Sequence, residues 1–428
     1  MLLWQPPSRK CAQSWRPQRR RSAAPNWKKT ARKAVVLNEG SQPMLLIQPK
    51  FVALDSSHLG AIAGDRASLD GERVKRAETF DQAFTASGSV LLLCWHHFQE
   101  LLSHRSEEVA AQRVAYLQSL PLVASIASFQ KEDIVGSAAS LQSFEIAAAF
   151  QSPTASAAVV REEAAKKMFR LTSGADLVRP FLKSWTILRE SFRHSEKRTR
   201  EVVAISKSDF AGNANAKIMD LLNDRVRAPD DILRQFQRLH GRLAADIRRR
   251  GDKRIPDADD TSRAFMKDVI RIGAEIVRPD NPGLRILQAW GFDLSDIGPD
   301  TTLADLGDMA VFRRKLEVLN VELNLPWPEL IARVKEDRLP SGIIYNAIRR
   351  FHPDTHEWDG SELTDRYLAC LAGYAGVTYV DKRTHEAFRL ARQKSETFAA
   401  LAGHVEKAGS YDAIPGQLAA YFAQRAAT

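Results

Sequence analysis

Apolar residues follow two rhythms along this chain. Short unbroken runs occur near its beginning and its end: Phe51-Val52-Ala53-Leu54, Val90-Leu91-Leu92-Leu93-Cys94-Trp95, Leu122-Val123-Ala124 and Val377-Thr378-Tyr379-Val380. Runs of this length predict buried strands. From Phe51 the order reads strand, loop, strand, helix, helix. Ser106 caps a helix in which Val109, Val114, Leu117 and Leu120 recur at near-helical spacing.

Between about 136 and 340 the strand rhythm stops. Ile232, Phe236, Leu239, Leu243 and Ile247 recur at steps of four, three, four and four between Pro229 and Gly251, which predicts an amphipathic helix. A second helix from about Ser262 sets Phe265, Val269, Ile272 and Ile276 on one face. A third, about Met309 to Leu323, carries Val311, Leu316 and Leu319. Asp280-Asn281-Pro282-Gly283 and the polar run 251–260 are expected to be turns or loops. The α/β rhythm resumes at Ser341, where Ile343, Ile344, Tyr345 and Ile348 fall on a short helix. A loop over 352–360 then precedes the last predicted helix and strand. The expectation is an α/β protein in which a parallel sheet is interrupted by a large all-α insertion. Its parts are an N-terminal extension (1–43), a first α/β part (44–135), the insertion (136–340), and a second α/β part with C-terminal helices (341–428).

Charge adds a division of labour. Of the net charge of +10, residues 1–43 contribute +9 from ten Lys or Arg against Glu39, and residues 189–254 contribute +7, so the rest of the chain carries −6. The 1–43 extension also has five prolines and no helical period, and it is expected to be disordered. It reads as a nucleic-acid-binding arm, as an Arg-rich targeting peptide, or as sequence preceding a functional start at Met44. Basic and acidic regions in one chain suit a nuclease, whose substrate backbone needs cations while carboxylates hold metal. No apolar run approaches the roughly 18 residues of a membrane span. Cys11, Cys94 and Cys370 lack metal-ligand spacing, so a cytoplasmic protein with reduced thiols is expected. Nothing resembles a phosphate loop, a zinc finger or a nucleophile triad.

Four acids carry the candidate chemistry. Asp55 and Asp381 end apolar strands, and strand C-termini are where open α/β sheets bind ligands. Glu100 opens the helical stretch after the second strand, and Asp365 begins the helix before the last one. Oxygen-only ligands select hard cations such as Mg²⁺. Such acids repel one another without metal, so at least one pKa should rise.

In this order the four acids resemble those of PIN-domain nucleases. The matching stretches are Phe51 to Ser57, Leu93 to Leu102, Asp365 to Ala369 and Val380 to Thr384. The resemblance covers 47 to about 135 and 341 to about 400. It implies a Rossmann-like PIN-type sheet and a Mg²⁺- or Mn²⁺-dependent site, with Asp55, Glu100, Asp365 and Asp381 as metal ligands and catalytic residues. The reaction it implies is phosphodiester hydrolysis, most often in RNA. Two features depart from the family pattern: Tyr379 stands two residues before the last Asp, where a Thr or Ser is usual, and the path from Glu100 to Asp365 is much longer. Ser57, Lys382 and Arg383 are secondary candidates, while His58, His96 and His97 read as polar rim residues. Arg234, Arg238, Arg242 and Arg249 line the polar side of the predicted 230–251 helix, a face for phosphates or for a protein partner. A DNA-directed nuclease and a catalytically idle module that binds nucleic acid or protein are the alternatives.

Overall fold

The computed structural model describes residues 49–130, 134–208, 215–218, 229–276, 297–352 and 360–426, with Leu287 and Phe292. The 1–43 extension, Met44, the 280–283 turn and most of the 352–360 loop lie outside these residues.

Strand β1 (Lys50–Leu54) is followed by helices α1 (Ser56–Arg66) and α2 (Gly71–Ala86), then β2 (Ser89–Leu93), α3 (Trp95–Leu102), α4 (Glu107–Ser119) and β3 (Val123–Ile126). The segment expected to be a loop between the first two strands is thus a pair of helices. Asp55 caps α1 and Asp70 caps α2, each accepting from a backbone N–H two residues on. Next come α5 (Ala138–Gln151), α6 (Ala157–Met168), strand β4 (Phe169–Thr172), α7 (Gly174–Leu182) and α8 (Trp185–Lys207). Then α9 (Pro229–Arg250), α10 (Ala258–Ile276), α11 (Leu303–Leu323) and α12 (Trp327–Arg333) complete the helical stretch. The chain closes with α13 (Pro340–Phe351), α14 (Ser361–Ala369), β5 (Val377–Tyr379), α15 (Lys382–Lys394), α16 (Glu396–Leu401), β6 (His404–Glu406) and α17 (Ile414–Ala426).

The six strands form one sheet in the order β4-β3-β2-β1-β5-β6. All neighbours run parallel except β3 and β4, where Val123 pairs with Thr172 and Ile126 with Phe169 in the antiparallel sense. The expected parallel sheet is therefore mixed, and the 136–340 stretch is not all-α. Strand β4 is only four residues long and half exposed, so it lacks the continuous apolar signal of a doubly covered strand. Strand β5 is not the last either, because His404–Glu406 adds an edge beyond it.

Alternate residues of the central strands feed two cores. Val52, Leu54, Leu91, Leu93, Val123, Val377 and Tyr379 pack with α1, α2, α3, α4, α7 and α17. Ala53, Val90, Leu92, Ala124 and Ile126 face the other way, toward α5, α6, α11 and α12. Covering both faces explains the unbroken apolar runs. The helices of the long stretch largely follow their periods. Leu243 and Ile247 of α9 are buried while Arg234, Arg238 and Arg242 are exposed. Among the described side chains of α10, Ser262 and Met266 are buried, with Phe265 and Val269 at the margin, while Ile272 and Ile276 lie outside the described side chains; α11 buries Leu316 and Leu319 but leaves Val311 exposed. Among the described residues, no helix is long and apolar enough to cross a membrane.

The topology has one reversal. The chain steps outward from β1 through β2 to β3, then returns to place β5 on the opposite side of β1. At such a switch point the loops leaving two adjacent parallel strands diverge and open a crevice at their C-terminal ends. Asp55 directly follows β1 and Asp381 lies two residues beyond β5 there.

Candidate metal centre

Asp55 stands where the β1–β5 ladder ends, its own N–H donating to the Tyr379 carbonyl at 3.0 Å. Its Oδ1 accepts from the Ser57 N–H at 2.6 Å and so caps α1. Asp381 caps α15 in the same way: Oδ1 accepts from the N–H groups of Arg383 (2.6 Å) and Thr384 (3.1 Å), and Oδ2 accepts from the Thr384 hydroxyl (2.6 Å). These bonds satisfy otherwise orphaned helix donors and fix both carboxylates in one orientation.

Asp365 comes from the second turn of α14 rather than its first residue. One carboxylate oxygen each from Asp55, Asp365 and Asp381 lie within 4.8 Å of one another, and all three side chains are half-buried. Burial raises the Asp365 pKa well above the usual carboxylate range. The charges of Glu100, Asp381 and Asp55 push the same way, and Arg383 pulls against them. This is the upward shift expected for carboxylates sharing a site.

Glu100 does not open its helix. Cys94 caps α3 and Glu100 falls in its second turn. Its pKa is pushed up to about 7, chiefly by burial, with Asp55 and Glu196 adding to the effect and Arg113 opposing it. Glu100 is therefore electrostatically coupled to Asp55 and Asp365 but lies outside the trio of mutually close oxygens.

The floor of the site is a cavity of about 10 Å³ lined by Asp55, Asp365, Asp381, Thr378, Thr384 and His97 among others. That is about the lower limit for one water-sized particle. The Thr378 hydroxyl is buried and has no hydrogen-bond partner among the described residues, an omission that a bound ion or its water would repair. Thr378 thus faces the site from the position three before Asp381, while Tyr379 turns into the core on the opposite face.

One of the three histidines is plainly not a rim residue. His97 is fully buried; its Nδ1 accepts from the Cys94 N–H at 3.0 Å, so the proton sits on Nε2 and is donated to the Leu54 carbonyl at 3.0 Å. Burial lowers its pKa to about 4. With both nitrogens used, His97 is a neutral strut joining the end of β1 to the start of α3, and it holds Asp55 and Glu100 in register. His96 stacks on Tyr367 with ring centroids 4.7 Å apart. His58, half-buried and within the field of Asp55, stays near the margin.

Arg383 lies 4.0 Å from Asp381 with its side chain part-exposed, and Lys382 is exposed. Sequence reasoning missed Glu196. This α8 residue accepts from Arg200 at 2.8 Å and Arg254 at 3.3 Å, and it reaches Glu100 electrostatically. One charge among many on an amphipathic helix carries no local signature. Arg113, the cation beside Glu100, was equally silent. Cys94 and Cys370 are buried free thiols, as expected.

No protein-family model matches this chain, and neither a curated protein nor a solved structure shows significant similarity to it.

Proposed function

We propose that the chain is a Mg²⁺- or Mn²⁺-dependent nuclease of PIN-like type that hydrolyses phosphodiester bonds, with RNA as its substrate. The observation that carries this reading is the convergence of Asp55, Asp365 and Asp381, from three separate elements, at the switch point of the sheet. Carboxylate oxygens that all lie within 4.8 Å of one another repel pairwise, when charged, by at least about 3.5 kcal/mol at an effective dielectric of about 20. An all-oxygen set that tolerates this repulsion fits a hard divalent cation, and the unpartnered Thr378 hydroxyl fits its surroundings.

A divalent ion held by the three aspartates would supply Lewis-acid stabilisation to a phosphoryl oxygen. Asp55 and Asp381 would enter the reaction already oriented, because the caps of α1 and α15 fix their oxygens. Glu100, with its pKa pushed up to about 7, is the group able to hold or pass a proton at neutral pH. Arg383 and Lys382 present cations at the rim, where a phosphate backbone would approach. The choice of RNA follows from the family resemblance of these residues.

Both aspartates would keep their capping roles in a catalytically idle module, and this favours that second reading. Asn caps a helix about as well as Asp, so Asp55→Asn and Asp381→Asn separate the two. Purified parent should cut an end-labelled single-stranded RNA with Mn²⁺ and stop with EDTA, while each variant should lose cleavage at a metal-free melting temperature no lower than the parent's. Variants that cut as fast as the parent would end the catalytic reading. A single-stranded DNA of the same sequence, run in parallel, tests the preference for RNA.

A further inference from the structure

Helix α1 starts at the metal centre and leads away from it beneath a second, larger cavity. This groove, of about 480 Å³, begins at Ser57 and His58, within one turn of Asp55, and ends about 12 Å farther along the helix at Asp65. Arg73 and Arg76 of α2 and the segment 408–411 form its other walls. Its volume is in the range of ordinary ligand sites.

Chemistry at the far end is organised around one buried carboxylate. Asp65 has only 4% of its side chain exposed, whereas Arg73 and Arg76 are half exposed at 50% and 47%. Arg73 donates through Nε to Asp65 Oδ1 at 2.7 Å. Arg76 donates through Nε and Nη2 to Oδ2, and the Tyr411 hydroxyl, also bound to Oδ2 at 2.6 Å, completes the anchor. Two guanidiniums against one carboxylate leave a net positive charge. Among the described residues the Nη groups of Arg73 have no hydrogen-bond partner, so a rigidly held fork of donors remains at the groove. Pre-organised Arg forks of this kind suit phosphate oxygens.

The groove is also kept clear of side chains. A Cβ added at Gly64 or Gly409 would meet nothing within 4 Å. Gly64 is helical without positive φ, and Gly in a helix interior is unfavourable relative to almost any other residue.

We infer that this groove binds a further phosphate of the polynucleotide strand whose scissile phosphate lies at the metal centre, with Arg73 and Arg76 as the phosphate-binding residues. The inference deepens the nuclease reading and rests on it. Charge complementarity selects the occupant: a strand running out of an acidic metal site along α1 reaches a cationic fork about 12 Å away.

Substituting the arginines would strand the buried Asp65, so the decisive changes are at Gly64. Gly64→Gln adds bulk in open space, and Gly64→Glu adds the same bulk with a negative charge facing Arg73 and Arg76; both improve helix propensity. Binding of a fluorescent single-stranded oligouridylate to the full chain is measured by anisotropy in EDTA, so that no cleavage is required. The expected result is weakening of about tenfold or more for Gly64→Glu, less for Gly64→Gln, with melting temperatures no lower than the parent's. The Glu variant should also show a shallower dependence of log affinity on log salt, by about 0.7 for one strand phosphate no longer neutralised. Parent-like affinity and salt slope in Gly64→Glu would overturn the inference, as would a phosphoserine peptide that displaces the oligonucleotide as well as unlabelled RNA does. Failure of the nuclease reading would show separately, as undiminished cleavage by Asp55→Asn.

Discussion

Replacing Asp365 with Asn should stabilise the metal-free protein while removing its response to metal. The pKa of Asp365 is driven far upward, by burial first and then by Glu100, Asp381 and Asp55. An acid with a raised folded-state pKa costs stability above its unfolded pKa, and the cost grows as pH rises toward the folded value. At pH 8 in EDTA, each charged carboxylate pair within 4.8 Å repels by at least about 3.5 kcal/mol at an effective dielectric of about 20. Asp365 faces two such partners, Asp55 and Asp381, and half-burial and partial protonation reduce what is recovered, so Asn should gain about 2–4 kcal/mol. With an unfolding entropy of about 2.1 cal/mol/K per residue over Lys50–Thr428, each kcal/mol corresponds to about 1.3 °C, giving a rise of about 3–5 °C. Metal reverses the order. Mn²⁺ at about 100 times its dissociation constant should stabilise the parent by about 2.7 kcal/mol and the variant by much less. Thermal melts of both proteins in EDTA and in Mn²⁺ test this directly. An Asp365→Asn protein that melts below the parent in EDTA, or that gains as much from Mn²⁺, would refute the reasoning.

Two further outcomes follow from groups outside the trio. Glu145 is completely buried, accepts from the Ser341 N–H (2.9 Å), the Ser341 hydroxyl (2.6 Å) and the Tyr374 hydroxyl (2.7 Å), and has its pKa pushed up to about 7 by burial despite those bonds and the charge of Lys315. Its contribution to stability should fall as pH rises from about 4.5 to about 7, so Glu145→Gln should match the parent at pH 5 and exceed it by up to about 3 kcal/mol at pH 8 in urea titrations; equal pH profiles would show that Glu145 is not the titrating group. On α9, Arg238 and Arg242 are exposed. If this face tracks phosphates, changing both to Gln should lower the slope of log affinity against log salt by about 0.7 for each single-strand phosphate left unneutralised, and an unchanged slope would leave this face to a protein partner or to solvent.

What was legible in the sequence follows from where the chain is buried. Strands β1, β2, β3 and β5 are covered on both faces, so their apolar runs stand out, and the acids at the ends of β1 and β5 could be placed at the sheet's edge from the runs alone. Helix α2 went unread because it buries only Ala77, Phe80 and Phe84 in a charged segment, and α1 because two glycines dilute Leu59, Ile62 and Ala63. Strand β4 exists through pairing with β3 rather than through a pattern of its own. Asp365 and Asp55 are more than three hundred positions apart, and their approach depends on the switch point, which no local window displays. The environments of Glu100 and His97 were also hidden, since a residue next to a strand end reads as rim until the packing of α3 is known. Glu196, Arg113 and the Asp65 anchor are products of tertiary packing alone.

The central claim is that Asp55, Asp365 and Asp381 hold a divalent metal. A crystal of the full chain soaked in Mn²⁺ and measured for anomalous scattering tests it most directly. The account predicts a strong peak bounded by these three carboxylates, with oxygen ligands at about 2.0–2.2 Å as for small hard cations, and loss of that peak in Asp365→Asn. Full Mn²⁺ occupancy elsewhere, with the three carboxylates left bare, would contradict it.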